Sequence, residues 1–436
     1  MEQINLQQLA STLGGPLVNT TEHIIKPVGV SIDTREDMRG KIFIPLKGGV
    51  DGHMFLSQAF EKGAVLAISR QSIDFPHIKV SDTFSAIKAF AKFYKKMFNI
   101  PTVGITGSVG KTTTKDLTAS VLGQGTVKTQ GNFNNEIGLP LTVFNINNTT
   151  QTCVLEMGMN NLGEIHNLAD IARPDIALIT NIGVAHIENL GSRKNILKAK
   201  TEIFDYNPNH IILDGDNDML ATLKGTVKAL FYYLNQPEQD YTAYNINHNG
   251  LLGTTATIKI LKDQFTVNIP IPGEYMVRNA LAGAIVGKIL GRTTEQIQQG
   301  IATFKPSKNR MDIITKGQLT IINDTYNASP QSMKAMLDLL SNQQGKKIAI
   351  LGDMFELGDF APKLHKEVGD YAKKTDIDNF IAVGPLAKDY GGDFYFETKE
   401  DFFESCLAKS FGEATVLVKA SRGMEFEKIV DYLKFL

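Results

Sequence analysis

The spacing of hydrophobic positions changes several times along the chain, and each change marks a predicted element. Ile4, Leu6, Leu9 and Leu13 recur at helical spacing and stop at Gly14-Gly15, which predicts a short amphipathic helix. Short apolar runs, "KIFIPL" (41–46) and "AVLAIS" (64–69), then alternate with turns before the helical stretch "TFSAIKAFAKFYKKMF" (83–98). From residue 99 the pattern becomes one of continuous apolar runs: "NIPTVGIT" (99–106), "TCVLEMG" (152–158), "DIALITNIG" (175–183) and "HIILDG" (210–215). Such runs, with helical stretches between them, predict the buried strands of a mostly parallel sheet. "TIKILKDQFTVNIPI" (257–271) alternates with period two on both sides of Lys262-Asp263, a hairpin added to that sheet. The helical "NALAGAIVGKIL" (279–290) ends at Gly291.

Pro306 interrupts the pattern in "FKPSKNRMD" (304–312), which predicts a linker. Strand-like runs resume in "LTIIND" (319–324), "KIAILGD" (347–353), "NFIAVG" (379–384) and "TVLVKA" (415–420). Ser329 and Pro330 are placed to open a helix whose Met333, Met336, Leu337 and Leu340 fall on one core-facing side. The chain therefore reads as α/β with three domains, 1–98, 99–305 and 306–436, and 436 residues suit that count. A composition of 42% hydrophobic and 21% charged residues is that of a globular protein. A net charge of −1 removes any bulk electrostatic case for nucleic acid or an anionic membrane as partner. Cys153 and Cys406 lie far apart and match no metal-ligand spacing, which fits a reducing compartment. The start lacks a basic leader with an apolar run, and no stretch approaches the roughly 18 apolar residues of a membrane span. The expectation is a cytoplasmic protein without membrane insertion.

Candidate chemistry centres on "VGITGSVGKTTTKD" (103–116). A strand, a small-residue turn and Lys-Thr opening a helix place backbone N–H groups and a helix N-terminus at an anion. Lys111 adds charge, and the Thr112 hydroxyl suits Mg²⁺. The common phosphate-loop pattern requires glycine at 105, where Ile105 stands, which argues against a typical GTPase or motor-type ATPase. The shorter pattern present is Thr106-Gly107-Ser108-Val109-Gly110-Lys111-Thr112. Glu156 ends a predicted strand at the sheet edge where α/β proteins bind ligands, although a lone glutamate there also suits a solvated turn. Taken alone, His186 reads as a structural histidine, and Lys200 as one of three helix-surface lysines with Lys194 and Lys198.

That shorter loop resembles the Mur ligase family, and five further blocks follow in the family's order. They are "GNFNNEIGLPLT" (131–142), "EMGMNNLGEI" (156–165), "NIGVAHIENLGSRKNILKAKTEIF" (181–204), "PGEYMVRNALAG" (272–283) and "INDTYNASPQSM" (322–333). The resemblance implies a small N-terminal α/β domain for a UDP-sugar-peptide, a central phosphate-loop ATP domain and a C-terminal Rossmann-like domain for the amine substrate. It implies ADP-forming amide-bond synthesis through an acyl phosphate, with ATP and two Mg²⁺ ions. Within the family, "LGDMFELG" (351–358) is similar to members that join D-alanyl-D-alanine to UDP-N-acetylmuramoyl-tripeptide in peptidoglycan precursor synthesis. The Asp-Asn-Pro-Arg string typical of the diaminopimelate- or lysine-adding members does not occur.

By the same resemblance, Lys111, Glu156, His186 and Lys200 are catalytic. Thr106, Gly107, Ser108, Gly110, Lys111, Thr112 and Thr113 hold phosphates, while Asn279, Arg310 and Asp324 surround the rest of ATP. Thr112, Glu156, His186 and Lys200 hold the metal, with Lys200 as a carbamate. Thr34 and Arg35 in "SIDTRE" (31–36), where the family often has Asp-Ser-Arg, contact the uridine diphosphate. Gly48 to His53 support that contact. Asn134, Asn135 and Asn160 face the sugar-peptide, and Asn327 faces adenine or the dipeptide. Two alternatives stay open: a Mur ligase adding a single amino acid, and a catalytically silent nucleotide-binding module. A complete phosphate and metal set weighs against the second. A monomer is expected, and the Lys111 side chain is expected at an exposed loop mouth.

Overall fold

The computed structural model describes all 436 residues, and three large sheets occupy successive stretches of the chain. The first has five strands in the order Leu17–Val18, His77–Lys79, Leu66–Ser69, Lys41–Phe43 and Gly29–Ser31, all parallel except the first pair. Beside it runs the predicted helix, Leu6–Leu13, capped by the Asn5 side chain and ended by Gly14 at φ +70°. Ile4 falls outside that helix, in a two-residue strand paired with Ile24–Ile25, because the Asn5 cap fixes the start at Leu6.

The central sheet has nine strands. Thr102–Thr106 is third from one edge, with Thr152–Glu156 and Thr126–Lys128 on its short side. On the other side follow Ile176–Ile179, His210–Asp214, Leu230–Leu234 and Tyr241–His248, all parallel. After Thr102–Thr106 the chain fills one side of the sheet and then crosses to the other. The end of that strand is consequently a topological switch point, where open α/β sheets leave a crevice. The hairpin Thr254–Ile260 and Asp263–Ile269 closes the far edge. Ile260 pairs with Asp263, so the turn is Leu261-Lys262, one residue earlier than the alternation places it, with Leu261 exposed at φ +57°. Leu230–Leu234 and Tyr241–His248 are strands that the hydrophobic pattern does not predict. The latter carries "NINH" at its solvent end.

The third sheet runs Asp312–Lys316, Leu319–Asn323, Ala414–Lys419, Lys346–Gly352, Asn379–Val383 and Phe394–Phe396, parallel apart from the first pair. Against it packs helix Pro330–Ser341, opened by a capping box between Ser329 and Ser332. Met333, Met336, Leu337 and Leu340 are all buried, each contributing about 1.5–3 kcal/mol of transfer free energy.

Two joints tie these layers together. Helix Thr83–Lys95 lies against both the Leu6–Leu13 helix and the central layer. There the Tyr94 hydroxyl accepts the Glu2 N–H and donates to the Ile146 carbonyl. At the second joint, Ser307 in the predicted linker donates to buried Asp116 on the loop helix Lys111–Leu122 at 2.6 Å. Burial would raise the Asp116 carboxyl, but Lys115, Lys128 and Ser307 together hold it below its ordinary value.

Asp353, at the end of a third-sheet strand, is buried and accepts the N–H groups of Leu386 and Ala387. Burial pushes its carboxyl up to about 6, against those two donors. A native-state value above the unfolded one means the folded protein binds this proton more tightly. Stability is thus greatest with the group protonated and falls as pH rises through about 6. Asp353→Asn keeps the accepting oxygen and removes the charge. It is expected to raise stability by about 1–2 kcal/mol at pH 7.5, with the gain gone by pH 4, as read by denaturant unfolding at both pH values.

Candidate active site

The switch-point loop takes its shape from the neighbouring strand end. Gly107 lies at φ +153°, and a Cβ there would meet the Thr180 hydroxyl at 1.9 Å. The Ser108 and Val109 N–H groups donate to the Asn181 carbonyl and side chain, while Thr180 and Asn181 donate to the Val109 carbonyl. The Ser108 hydroxyl accepts the Gly183 N–H. Gly110, at φ +86°, then turns the chain into helix Lys111–Leu122. The register explains the convergence: Ile105 sits opposite Glu156 and Thr106 opposite Ile179, so three strands end together.

A cleft of about 550 Å³ opens there. Its floor includes Ser108 to Thr113, Asn134, Asn135, Glu156, Asn160, His186 and Asn279. Its roof comes from the third domain, with Arg310, Asp324, Tyr326, Asn327, Phe355, Glu356 and Lys419. The two sheets thus face each other across the cleft with their carboxyl ends.

Lys111 is half-buried and folds back to donate to the Gly107 carbonyl at 2.8 Å, rather than standing at an exposed mouth. Burial lowers its ammonium pKa, opposed by the charge of Glu156. Glu156 is buried; one oxygen accepts from Asn134 at 2.7 Å and the other has no hydrogen-bond partner. The Thr112 hydroxyl accepts from Arg310 at 3.1 Å, and the Arg310 guanidinium stacks on Tyr326. Asn279 accepts from Thr114, joining helix Glu274–Ile289 to the loop helix. Asp324 receives the buried Lys419 ammonium at 2.5 Å, and Lys419 also donates to the Asn327 carbonyl.

Lys200 is fully buried and its amine has no hydrogen-bond partner. Burial, then the charge of Lys111, push that amine well below the ordinary lysine value. The helix-surface reading of this residue is therefore wrong: Ile196, Ala199 and Lys200 form the buried side of helix Arg193–Thr201. Lys200 and Thr106 do not line the cleft; each is buried beneath it with an unpartnered polar atom. His186 occupies the left-handed region at φ +62°, with Nδ1 2.9 Å from a Glu356 oxygen, a contact not aligned as a hydrogen bond. The His186 ring holds the Glu356 carboxyl below its ordinary value.

Some expected contacts lie elsewhere or have structural work. Asn135 accepts the Ile137 and Gly138 N–H groups and so holds the turn that leads into the next helix. The Asn160 N–H donates to Glu164 at the cleft rim. Thr34 and Arg35 belong to the first sheet's domain and do not line this cleft. Thr34 donates to Gln58, and Arg35 is highly exposed with its guanidinium on Asp33. His53 is buried between Asp51 and the Arg70 N–H, bracing that loop. Sequence reasoning missed Glu356 and Lys419 as site residues, although Lys419 ends a strand and Glu356 lies in the loop that follows one, on the same kind of carboxyl edge that singled out Glu156.

A divalent cation fits the floor. An unpartnered, buried carboxylate oxygen on Glu156 and the Thr112 hydroxyl are hard oxygen donors at a phosphate loop. No cluster of three His, Cys, Asp or Glu side chains forms a closed metal cage. An ion sharing its shell with phosphates and water needs no such cage.

Loop, cleft and roof define a phosphate-loop nucleotide enzyme whose pocket closes between two α/β domains. Residues 105–287 match the Mur ligase middle domain, and residues 309–422 match the Mur ligase glutamate ligase domain. The chain is 39% identical to the UDP-N-acetylmuramoyl-tripeptide–D-alanyl-D-alanine ligase of Bacillus subtilis (strain 168), over 98% of both chains. It is 34% identical to the ligase of the same name from Escherichia coli (strain K12), over 100% of this chain and 99% of that one. A crystal structure of MurF from Acinetobacter baumannii matches with a TM-score of 0.92 at 28% identity, covering 100% of both chains. MurF ligase from Thermotoga maritima in complex with ADP matches at 0.83 and 27% identity, covering 93% of this chain and 97% of that one. The chain belongs to the Mur ligase family.

Gly107→Ala tests the loop's dependence on Thr180. The clash leaves the turn no way to keep both its path and its bonds to residues 180–183. ADP affinity measured by calorimetry is expected to fall at least about tenfold, since a misplaced backbone donor set loses more than 1.4 kcal/mol. Unchanged affinity would show that the loop has slack.

Proposed function

We propose that this chain is the ATP-dependent, ADP-forming ligase that joins D-alanyl-D-alanine to UDP-N-acetylmuramoyl-tripeptide in peptidoglycan precursor synthesis. The observation carrying this reading is the cleft itself. A phosphate loop with Lys111, Thr112 and Glu156 faces a separate domain that brings Arg310, Asp324 and Lys419 over the same space. Full-length similarity to ligases of that name supports the substrate assignment. The working units are taken as 1–98 for the UDP-sugar-peptide, 99–305 for ATP and 306–436 for the dipeptide.

In the chemistry this implies, a carboxylate oxygen of the tripeptide attacks the γ-phosphorus of ATP, and the bond to ADP breaks. The dipeptide amine then attacks the acyl carbon; a C–N bond forms, the C–O bond to phosphate breaks, and the amine gives up a proton. Loop N–H groups and Lys111 bear the charge of the transferring phosphoryl group. Glu156 and Thr112, with His186 and Lys200, would hold Mg²⁺, which neutralises charge on the phosphoryl oxygens. Asn134 fixes one oxygen of Glu156 and leaves the other free. Arg310, over the Tyr326 ring, reaches the loop from the third domain, and Asp324 is taken as the ribose contact. Thr34 and Arg35 serve the uridine diphosphate, with Arg35 exchanging Asp33 for phosphate. Asn135, Asn160 and Asn327 border the peptide and dipeptide. No helix is long and apolar enough to cross a membrane; the site of action is taken as the cytoplasm, where the precursor substrates of this reading are made.

Phosphate release is expected to require ATP, UDP-N-acetylmuramoyl-tripeptide and D-alanyl-D-alanine together. Equal turnover when diaminopimelate, lysine or D-glutamate replaces the dipeptide would sink the assignment and leave a single-amino-acid Mur ligase.

Lys200 is read as a carbamate in the working enzyme. Carbamylation needs a neutral amine, and burial beside Lys111 favours that form. The amine nitrogen bonds to CO₂ and loses a proton, turning a potential cation into two oxygen donors. Lys200→Ala is expected to fold and to lose at least about a hundredfold in kcat, with partial recovery in acetate or formate; the scale is that of removing one charge-stabilising group. Wild-type turnover by the variant would refute the reading.

A further inference from the structure

The contact between His186 and Glu356 joins two domains, and neither partner sits there cheaply. His186 and Glu356 occupy the left-handed backbone region at φ +62° and +63°, which non-glycine residues adopt at a cost. The turn after Glu356 packs tightly: a Cβ on Gly358 would stand 2.9 Å from the Glu188 side chain, two residues beyond His186. Two strained turns from different sheets are thus pressed together at one point on the cleft wall.

There the Nδ1 atom of His186 lies 2.9 Å from a Glu356 carboxylate oxygen, within ion-pair range although the two are not aligned as a hydrogen bond in this conformation. A carboxylate on one imidazole nitrogen fixes the tautomer with its proton on that side. It presents the other nitrogen, unprotonated, as an acceptor or metal donor. No hydrogen bond from its own domain holds the His186 Nδ1 atom, and the Glu356 carboxylate, already at 2.9 Å, needs only a small rotation of either side chain to align with it.

We infer that Glu356 is a positioning residue for His186, so that the third domain supplies the orientation of a ligand side chain belonging to the central domain. This rests on the reading of His186 as a metal ligand. Its consequence is that the metal site is complete only when the third domain is docked. Divalent-ion affinity and domain closure then become one coupled equilibrium.

Three variants test it: Glu356→Ala, Glu356→Gln and His186→Ala. Binding of Mn²⁺ in the presence of ADP, followed by the electron paramagnetic resonance of free Mn²⁺, should weaken roughly tenfold to a hundredfold in Glu356→Ala, the usual range for losing such a partner. Glu356→Gln keeps an accepting oxygen and should recover most of that loss. The steady-state Mg²⁺ requirement should rise in Glu356→Ala, while KM for ATP at saturating Mg²⁺ stays within about twofold, a split that loss of folding does not produce. Glu356→Ala added to His186→Ala should cost nothing further, since the two residues act as one unit.

A metal-free readout completes the set. In ¹⁵N-histidine spectra the His186 resonance, identified by its loss in His186→Ala, should report the Nδ1–H form in wild type and shift toward Nε2–H in Glu356→Ala. If His186→Ala binds Mn²⁺ like wild type, the metal-ligand reading fails. If His186→Ala is weakened but Glu356→Ala binds normally, keeps its tautomer or adds to His186→Ala, the positioning role is overturned.

Discussion

The site depends on one close approach, that of the Gly107 backbone to the Thr180 side chain. A turn of small residues has little to hold its shape. Here the shape is imposed by the end of the adjacent strand, through Thr180, Asn181 and the Gly183 N–H. Parallel pairing fixes where those strand ends meet, so the sheet register determines where the loop's N–H groups point. Lys111, Thr112 and Glu156 then follow from the same register without further devices.

Above this floor the third domain is an active half of the pocket. Its strands also end toward the cleft, and its charged groups are paired before any ligand is considered. Lys419 lies on Asp324, Arg310 on Tyr326 and Thr112, and Glu356 on His186. Pairing of this kind keeps buried charge affordable, because an isolated charge in such a place costs several kcal/mol. It also means that ligand binding exchanges partners more than it creates them. The amine of Lys200 departs from this economy, and burial without a partner is what makes its chemistry different from that of every other lysine at the cleft.

Much of this was legible in the sequence because a buried strand and a capped helix leave strong local signals. The strands ending at Thr106, Glu156 and Ile179 are buried throughout and mostly apolar, and Ser329-Pro330 announces its helix directly. Tyr241–His248 was not legible, since it lies near the sheet edge and carries the polar "NINH" where the period should show. The hairpin turn moved by one residue because Leu261 takes a backbone conformation that its side chain gives no hint of. Burial of Lys200 escaped for a related reason. Lys194, Lys198 and Lys200 look alike in a string, and only the helix's rotation against the sheet decides which of them faces inward. Glu356 escaped because its role lies in a partner from another domain, a relation that spacing along the chain does not encode.

The joint at Ser307 and Arg310 has a practical meaning for anyone recombining members of this family. Both residues precede the third sheet, yet they are fastened to the loop helix, Ser307 on Asp116 and Arg310 on Thr112. A crossover placed at the composition break near Pro306 would sever these contacts from the helix they evolved against. The workable seam lies beyond Arg310, so a chimera that exchanges the third domain should inherit its connecting segment from the parent that supplies the loop helix.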